Sequence, residues 1–321
     1  MKMKQLGNTN VHISELSLGA MGLSLITKPP ESQAIATIHS ALDLGINIID
    51  TADSYCIDES DKHHNERLIR KALQQYNGDT SHVLVATKGG YIRPEGKWVF
   101  NGSPEHLRQT IRESFEALGG EKPIDIWQHH RPDPNYTIEQ SLTPVKEAVS
   151  EGIIRFVGLS NYSVEEIKRA RDLVEVVAVQ HQLNPWYRHH EFDGVLNYAK
   201  EEKLTFLASS PFGGIQGVRR TTALEKLTVF TEIAEAKGIT IYSLMLAWLR
   251  SKSPLIVPIV GASKPTNVEA SVKALTIKLS AEEVSRLDDS VPFNHLKQKL
   301  RWVKQQLQQL IPHSSSMFIN T

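Results

Sequence analysis

Residues 45–56 read GINIIDTADSYC. A largely apolar run, Ile46 to Ile49, stops on Asp50, and Tyr55 follows five residues later. A short apolar run closed by turn-forming residues reads as a buried strand. The segment Asp-Thr-Ala-Asp-Ser is rich in side chains that bond their own backbone, so Asp50 alone reads equally as a cap, a turn residue or a carboxylate placed for chemistry. The remainder of the chain decides between them.

The same strand signature recurs at 15–19, 83–88, 124–130, 154–159, 177–180, 204–208 and 255–260. Amphipathic stretches separate the runs. Residues 32–44 place Ala34, Ile35, Ile38, Ala41 and Leu42 on one face, and residues 104–118 open on Ser103-Pro104-Glu105, a cap followed by proline at the first helical position. Residues 138–150, 163–174, 191–202 and 241–251 follow the same pattern. Strand-then-helix units in series predict a parallel sheet. Eight of them predict an α/β fold closed as a (β/α)8 TIM barrel. An open nucleotide-binding sheet would carry Gly-x-Gly-x-x-Gly after the first strand, where this chain reads LGAMG. Alternation around Gly7-Asn8 predicts an N-terminal β-hairpin.

Residues 1–290 are expected to form one barrel domain and 291–321 a C-terminal helical extension with a frayed end. In that extension Leu296, Leu300, Val303, Leu307 and Leu310 recur at spacings of four and three, the stripe of a helix docked on the barrel or of a short self-association seam. The protein is therefore expected to be a monomer or a homo-oligomer through this helix.

The 321 residues carry 36 basic and 36 acidic side chains, a balance that gives no global field for nucleic acid. There is no apolar run of membrane-spanning length and no signal-peptide core. The single cysteine, Cys56, excludes a disulfide framework and a cysteine metal cluster and reads as a small filler residue. A reducing compartment is implied, the cytoplasm by default.

In a (β/α)8 barrel the active site lies at the C-terminal ends of the strands. Those ends carry Asp50 with Tyr55 on its loop, Lys88, His129-His130, Ser160-Asn161, Gln180, and the segment SSPFGGIQG from Ser209. An unpaired ammonium at the end of VLVATK is costly to bury, and Asp50 one strand away is its natural partner. A tyrosine hydroxyl close to that ammonium is expected to have its pKa lowered, which makes a proton donor suited to neutral pH. A histidine across the site would bond the same substrate oxygen. Alternation separates His129 from His130 without saying which faces the barrel axis. These groups polarise and protonate a carbonyl but supply no hydride, so a cofactor is required. Two adjacent histidines without a third ligand at metal spacing give no metal site.

With these residues in order, the sequence resembles the aldo-keto reductase superfamily over about residues 1–290. DTADSY (50–55), VATKGG (85–90), DIWQHHRPDP (125–134), GLSNY (158–162), SPFGG (210–214) and IVGASKP (259–265) are similar to its motifs, in its order. The resemblance implies NAD(P)H-dependent carbonyl reduction without metal, with Tyr55 as general acid, Asp50 and Lys88 tuning it, and His130 orienting the carbonyl. It implies that Ser160, Asn161 and Gln180 hold the nicotinamide carboxamide. Gly19, Met21, Asp50, Ser209, Pro211, Phe212, Gly214, Gly217, Arg219, Gly261, Ser263, Lys264, Asn267 and Ser271 complete the expected cofactor surface, with backbone amides around 212–217 facing the pyrophosphate.

The chain departs from the family's pattern at Ser209, where an aromatic usually stacks on the nicotinamide, leaving Phe212 or Trp186 as substitutes. It departs again at Gly261-Ala262 and Asn267, and at Ala270-Ser271. NADPH is expected, with Ser263, Lys264, Arg219 and Arg220 as phosphate partners, and NADH is the alternative. Residues 89–103 are expected to form a substrate-side loop with Tyr91 and Trp98, joined by His129, Trp186 and Tyr187, around a small, apolar or aromatic carbonyl substrate. The competing readings are a regulatory subunit on the same fold that binds NADP(H) with little turnover, and a Schiff-base lyase using Lys88.

Overall fold

A computed structural model describes residues 1–26, 28–214 and 228–291. Eight parallel strands close into a barrel in the order β3 (Ser17–Gly19), β4 (Ile48–Asp50), β5 (Leu84–Gly89), β8 (Ile124–His129), β9 (Ile154–Ser160), β10 (Val176–Gln182), β11 (Thr205–Ser209) and β12 (Ile256–Gly261), and β12 pairs back onto β3. The hairpin β1 (Met3–Gln5) and β2 (His12–Ser14) pairs Met3 with Ser14 and Gln5 with His12, as the alternation around Gly7-Asn8 predicts. All eight runs that read as strands in the sequence are barrel strands.

Helices lie between the strands: α1 (Glu31–Asp43), α2 (His64–Gln74), α3 (Pro104–Ala117), α4 (Ile138–Ser150), α5 (Val164–Arg171), α6 (Val195–Glu201), α7 (Thr228–Ala236), α8 (Ile241–Lys252), α9 (Pro265–Lys273) and α10 (Ala281–Ser290). Their starts follow from local chemistry. The Ser103 side chain accepts from His106 N–H with Pro104 behind it, and Thr137/Gln140, Ser163/Glu166 and Ser280/Glu283 form reciprocal capping boxes. The 89–103 segment is more ordered than a plain loop, because β6 (Tyr91–Ile92) and β7 (Val99–Phe100) pair across a turn at 94–96.

Period-two alternation sorts each strand between two cores. Ile48, Leu84, Ala86, Ile126, Ala178, Leu207, Val257 and Ile259 fill the barrel, and Leu6 and Ile13 of the hairpin close its lower end. Ile49, Val85, Trp127, Val157 and Phe206 point outward against the helices. Burial of each of these Ile, Leu, Val and Phe side chains contributes about 1.5–3 kcal/mol. The alternation has a consequence at the upper rim: continuing the inward set past Ile48, Ala86, Ile126 and Ala178 brings Asp50, Lys88, Gln128 and Gln180 to one layer, with His130 above it. The C-terminal extension expected from 291 onward lies outside the described residues apart from Val291. No described helix is long and apolar enough to cross a membrane.

Candidate active site

Lys88 is fully buried, and its ammonium donates to Asp50 Oδ1 at 2.7 Å and to the Thr51 carbonyl at 2.6 Å. Asp50 turns its other oxygen to the Nε2 of Gln180 at 2.6 Å, and Gln180 also donates to Gln128 Oε1 at 3.2 Å. The charge that ends β4 is thus held by the charge that ends β5 and by two amides across the barrel. Burial lowers the Lys88 pKa, and the Asp50 carboxylate opposes that shift.

Tyr55 stands over this pair, with the Lys88 ammonium 4.9 Å from its ring centre. Its loop is fastened on both sides. Ser24 Oγ donates to the Tyr55 carbonyl at 2.7 Å, and Asn65 Nδ2 donates to Ser24 Oγ and to the Ala20 carbonyl while its Oδ1 accepts from Thr51 Oγ1. The expectation of a lowered Tyr55 pKa is not met: burial first, then the negative charge of Asp50, push it well above the usual tyrosine value. The cause is visible in the geometry. The Lys88 ammonium gives its hydrogen bonds to Asp50 and Thr51 rather than to the phenol, which lies in a dry surrounding close to a carboxylate. Tyr55 therefore keeps its proton at neutral pH.

His130 faces Tyr55 with ring centres 6.0 Å apart, and Tyr91 with 4.7 Å. Burial, followed by the positive charges of Lys88 and Arg131, holds its pKa well below the usual histidine value, so the imidazole is neutral at pH 7. His129 is corrected. It points outward, stacks on Trp127 and bonds the Tyr162 hydroxyl through Nδ1 at 2.6 Å, so it does not line the substrate side. Ile126 lies inside the barrel, and parity then sends His130 inward and His129 out.

Tyr91 and Trp98 do reach the site. Trp98 packs edge-on to Tyr91 at 5.3 Å and to Tyr55 at 6.4 Å, and Tyr91 packs against Phe100. Trp186 is half-buried against the outer core, its backbone N–H held by Asn184 Oδ1, and Tyr187 is held by the same oxygen. Cys56 is buried and its thiol is pushed up to about 12 by burial, in keeping with a filler residue.

On the side of the rim expected to take the cofactor, Asn161 adopts φ 60° and donates from Nδ2 to the His130 carbonyl and to Ser160 Oγ, both at 3.0 Å. Gln180 Oε1 receives no hydrogen bond from the described residues. The Ser160 hydroxyl, whose O–H has no acceptor among the described residues, and the open Gln180 Oε1 at one rim fit the oxygen and the NH2 of a carboxamide. Gly19 and Gly261 are paired neighbours, where a Cβ on Gly19 would come within 2.9 Å of Ile259 and one on Gly261 would meet open space. Met21 is half-buried just beyond β3. Ser209 ends β11, Pro211 is buried, Gly214 has φ 69°, and Phe212 packs on both outer cores and edge-on to Tyr242 at 5.3 Å. Lys264 is exposed at the start of α9 with no side-chain cap on the helix and no acidic residue in its first turn, next to half-buried Ser263. Asn267 is exposed, whereas Ser271 turns its hydroxyl into its own helix, onto the Asn267 carbonyl. Gly217, Arg219 and Arg220 lie outside the described residues.

Sequence reasoning missed Gln128, Asn65 and Ser24. Gln128 was accessible from its parity with Ile126 and His130; the other two are linked to Tyr55 only in space.

The class defined by this fold and rim is a (β/α)8-barrel protein with a buried Asp–Lys pair under a tyrosine and a neutral histidine. The family model for the aldo/keto reductase family matches residues 15–292, and the chain belongs to that family. It is 35% identical over 283 residues to an oxidoreductase of Schizosaccharomyces pombe described as uncharacterized, covering 86% of each chain. Among solved structures it is similar to the thermostable aldo-keto reductase Tm1743 in complex with the inhibitor epalrestat, with TM-score 0.75 and 29% identity, covering 90% of this chain and 100% of that one. It also shares its fold with a glycerol dehydrogenase of Gluconobacter oxydans, with TM-score 0.75 and 24% identity over 91% and 98% of the two chains.

Proposed function

We propose that this protein reduces a small aldehyde or ketone to an alcohol, with NADPH as the cofactor and Tyr55 as general acid. The observation that carries the reading is the convergence of Tyr55 and His130, rings 6.0 Å apart, above the buried Lys88–Asp50 pair. A reduced nicotinamide supplies the hydride that these side chains lack. Ser160, Asn161 and Gln180 are suited to hold its carboxamide, and Ser263 and Lys264 the ribose phosphate.

The carbonyl oxygen is received between the Tyr55 hydroxyl and the neutral His130 ring. Both hydrogen-bond the oxygen as negative charge develops on it. The Tyr55 O–H bond breaks as its proton passes to that oxygen, and Lys88 stabilises the phenolate left behind. Asp50 keeps Lys88 charged in a dry site, and the aromatic wall of Tyr91 and Trp98 excludes water.

The test is a panel of aldehydes and ketones with NADPH and NADH, followed at the reduced-nicotinamide absorbance. Tyr55→Phe should reduce kcat by roughly a hundredfold or more, with cofactor affinity retained in a fluorescence titration. Persistent turnover by that variant removes the acid assignment. Cofactor binding without turnover of any carbonyl favours the regulatory-subunit reading.

A further inference from the structure

Arg93 has no part in the chemistry above. It follows β6 on the substrate-side segment and is only 4% exposed. Its Nη2 donates to the Ile57 carbonyl at 3.2 Å, whereas Nε and Nη1 are buried with no hydrogen-bond partner. No carboxylate among the described residues forms an ion pair with it. The charges of Asp58 and Glu59 act on it from a distance, and the Glu59 carboxylate accepts instead from the Arg93 backbone N–H. A guanidinium has five N–H donors in a fixed fork, and leaving two of its nitrogens dry and unpaired is unfavourable unless an acceptor arrives.

The position of the fork says what that acceptor belongs to. The guanidinium lies over the Trp98 ring, 4.0 Å from its centre, and that ring packs against Tyr55 and Tyr91. One side chain, Trp98, thus touches both the cation and the tyrosine. Trp98 is itself 39% exposed, so the side chain that covers the fork lies at the surface. A second guanidinium, that of Arg131, stacks on Phe100 of the same wall at 4.4 Å.

We propose that Arg93 binds an oxyanion group on the substrate, so that this protein acts on short carbonyl compounds bearing a carboxylate or a phosphate. This rests on the carbonyl-reductase reading above and names its substrate class, in place of the apolar carbonyl that the aromatic wall suggests on its own. The fork receives the anion bidentately while Trp98 moves aside or closes over the chain between anion and carbonyl.

The test compares matched pairs on the full chain with NADPH: 4-carboxybenzaldehyde against its methyl ester, and glyceraldehyde 3-phosphate against glyceraldehyde. The charged member of at least one pair should have the higher kcat/KM by about tenfold or more, and the pair that shows it identifies the oxyanion. Arg93→Met should bring that ratio close to one through KM, and Arg93→Lys should keep part of it. Arg93→Gln serves if the Met variant does not fold. A merely structural arginine would change both members of a pair alike. Ratios at or below one in both wild-type pairs, or a ratio that Arg93→Met or Arg93→Gln leaves unchanged, overturn the proposal and leave the reductase reading intact. If no aldehyde turns over, 4-carboxybenzyl alcohol is titrated by tryptophan fluorescence. Binding that depends on Arg93 then supports the anion site while the reductase reading falls, and absence of binding overturns both.

Discussion

The charge on Lys88 is tolerable at the centre of a barrel because Asp50 stands one strand away. An ion pair removed from water gains strength and loses hydration, and the loss falls fully on whichever partner remains when the other is deleted. Lys88→Met should therefore cost about 3–5 kcal/mol of stability by urea unfolding, since it strands a buried carboxylate. Lys88→Met combined with Asp50→Asn should recover part of that loss without recovering activity. A double-variant loss equal to the sum of the losses in Lys88→Met and in Asp50→Asn would show that the pair is not energetically coupled. Asp53, two residues before Tyr55, behaves differently. It is fully buried, one oxygen accepts from Thr110 Oγ1 at 2.6 Å, and the other has no partner. Burial pushes its pKa up to about 6, with Lys62 opposing the shift. The fold thus favours the protonated carboxyl, and the stability this contributes is full below an unfolded pKa of about 3.8 and lost as pH rises through about 6. Wild-type stability relative to Asp53→Asn should fall between pH 4 and pH 7 by up to ~3 kcal/mol. Denaturation curves at the two pH values check it, and a constant difference sinks it. The residue scale also shows what sequence parity lacks. His129 and His130 were separable by alternation from the start, but choosing between them needed one neighbour, Ile126, known to be inside.

At the scale of elements, the hairpin acts as the floor of the barrel, and its turn is set by Gly7. This residue has φ 53°, its N–H donates to Thr205 Oγ1 at 2.8 Å, and a Cβ here would lie 2.6 Å from the Val177 carbonyl oxygen. Gly7→Ala must bear a left-handed conformation and push the hairpin off β10, which should cost about 2 kcal/mol or more. Unfolding should register that loss while kcat stays as in the wild type, because the rim lies at the other end of the strands. An equal fall in kcat would mean that the floor is coupled to the site. The hairpin and the eight strands were legible because each run alternates or is apolar throughout and is closed by turn residues. Helix α2 was passed over although Leu68, Ile69, Ala72 and Leu73 do share one face, because that stripe is confined to its second half and its first turn buries Asn65 and Glu66 instead. One of the two serves the site: Asn65 ties down the Tyr55 loop, whereas Glu66 accepts from Thr87 and His63. The pair β6–β7 escaped notice for a different reason. Two residues per strand give alternation nothing to repeat.

For the whole molecule, binding that is confined to the folded state raises stability by mass action, so cofactor choice can be measured without a substrate. The barrel and its polar rim follow from the strand pattern, but the proposed cofactor surface spans β3, β9, β10, β11, β12 and the start of α9, and no sequence period links those pieces. Its departures are local: Ser209 offers no ring, and Phe212 is packed against Tyr242. On the proposed reading, discrimination between the two cofactors rests on charge. Lys264 is exposed at the N-terminus of a helix with no acidic residue in its first turn, which suits a phosphate more than a ribose hydroxyl. At a hundred times its Kd, NADPH should add about 2.7 kcal/mol to the unfolding free energy, and NADH at the same concentration should add less. Lys264→Ala should shrink the NADPH shift and leave that of NADH nearly unchanged. Because Lys264 is exposed, raising the salt concentration should narrow the difference in the wild type in the same direction as the substitution does. Thermal unfolding with each cofactor, in low and high salt, for both proteins, reads all of these effects. Equal shifts by the two cofactors in wild type and variant alike would remove Lys264 as the phosphate contact and move the selectivity to another part of the rim.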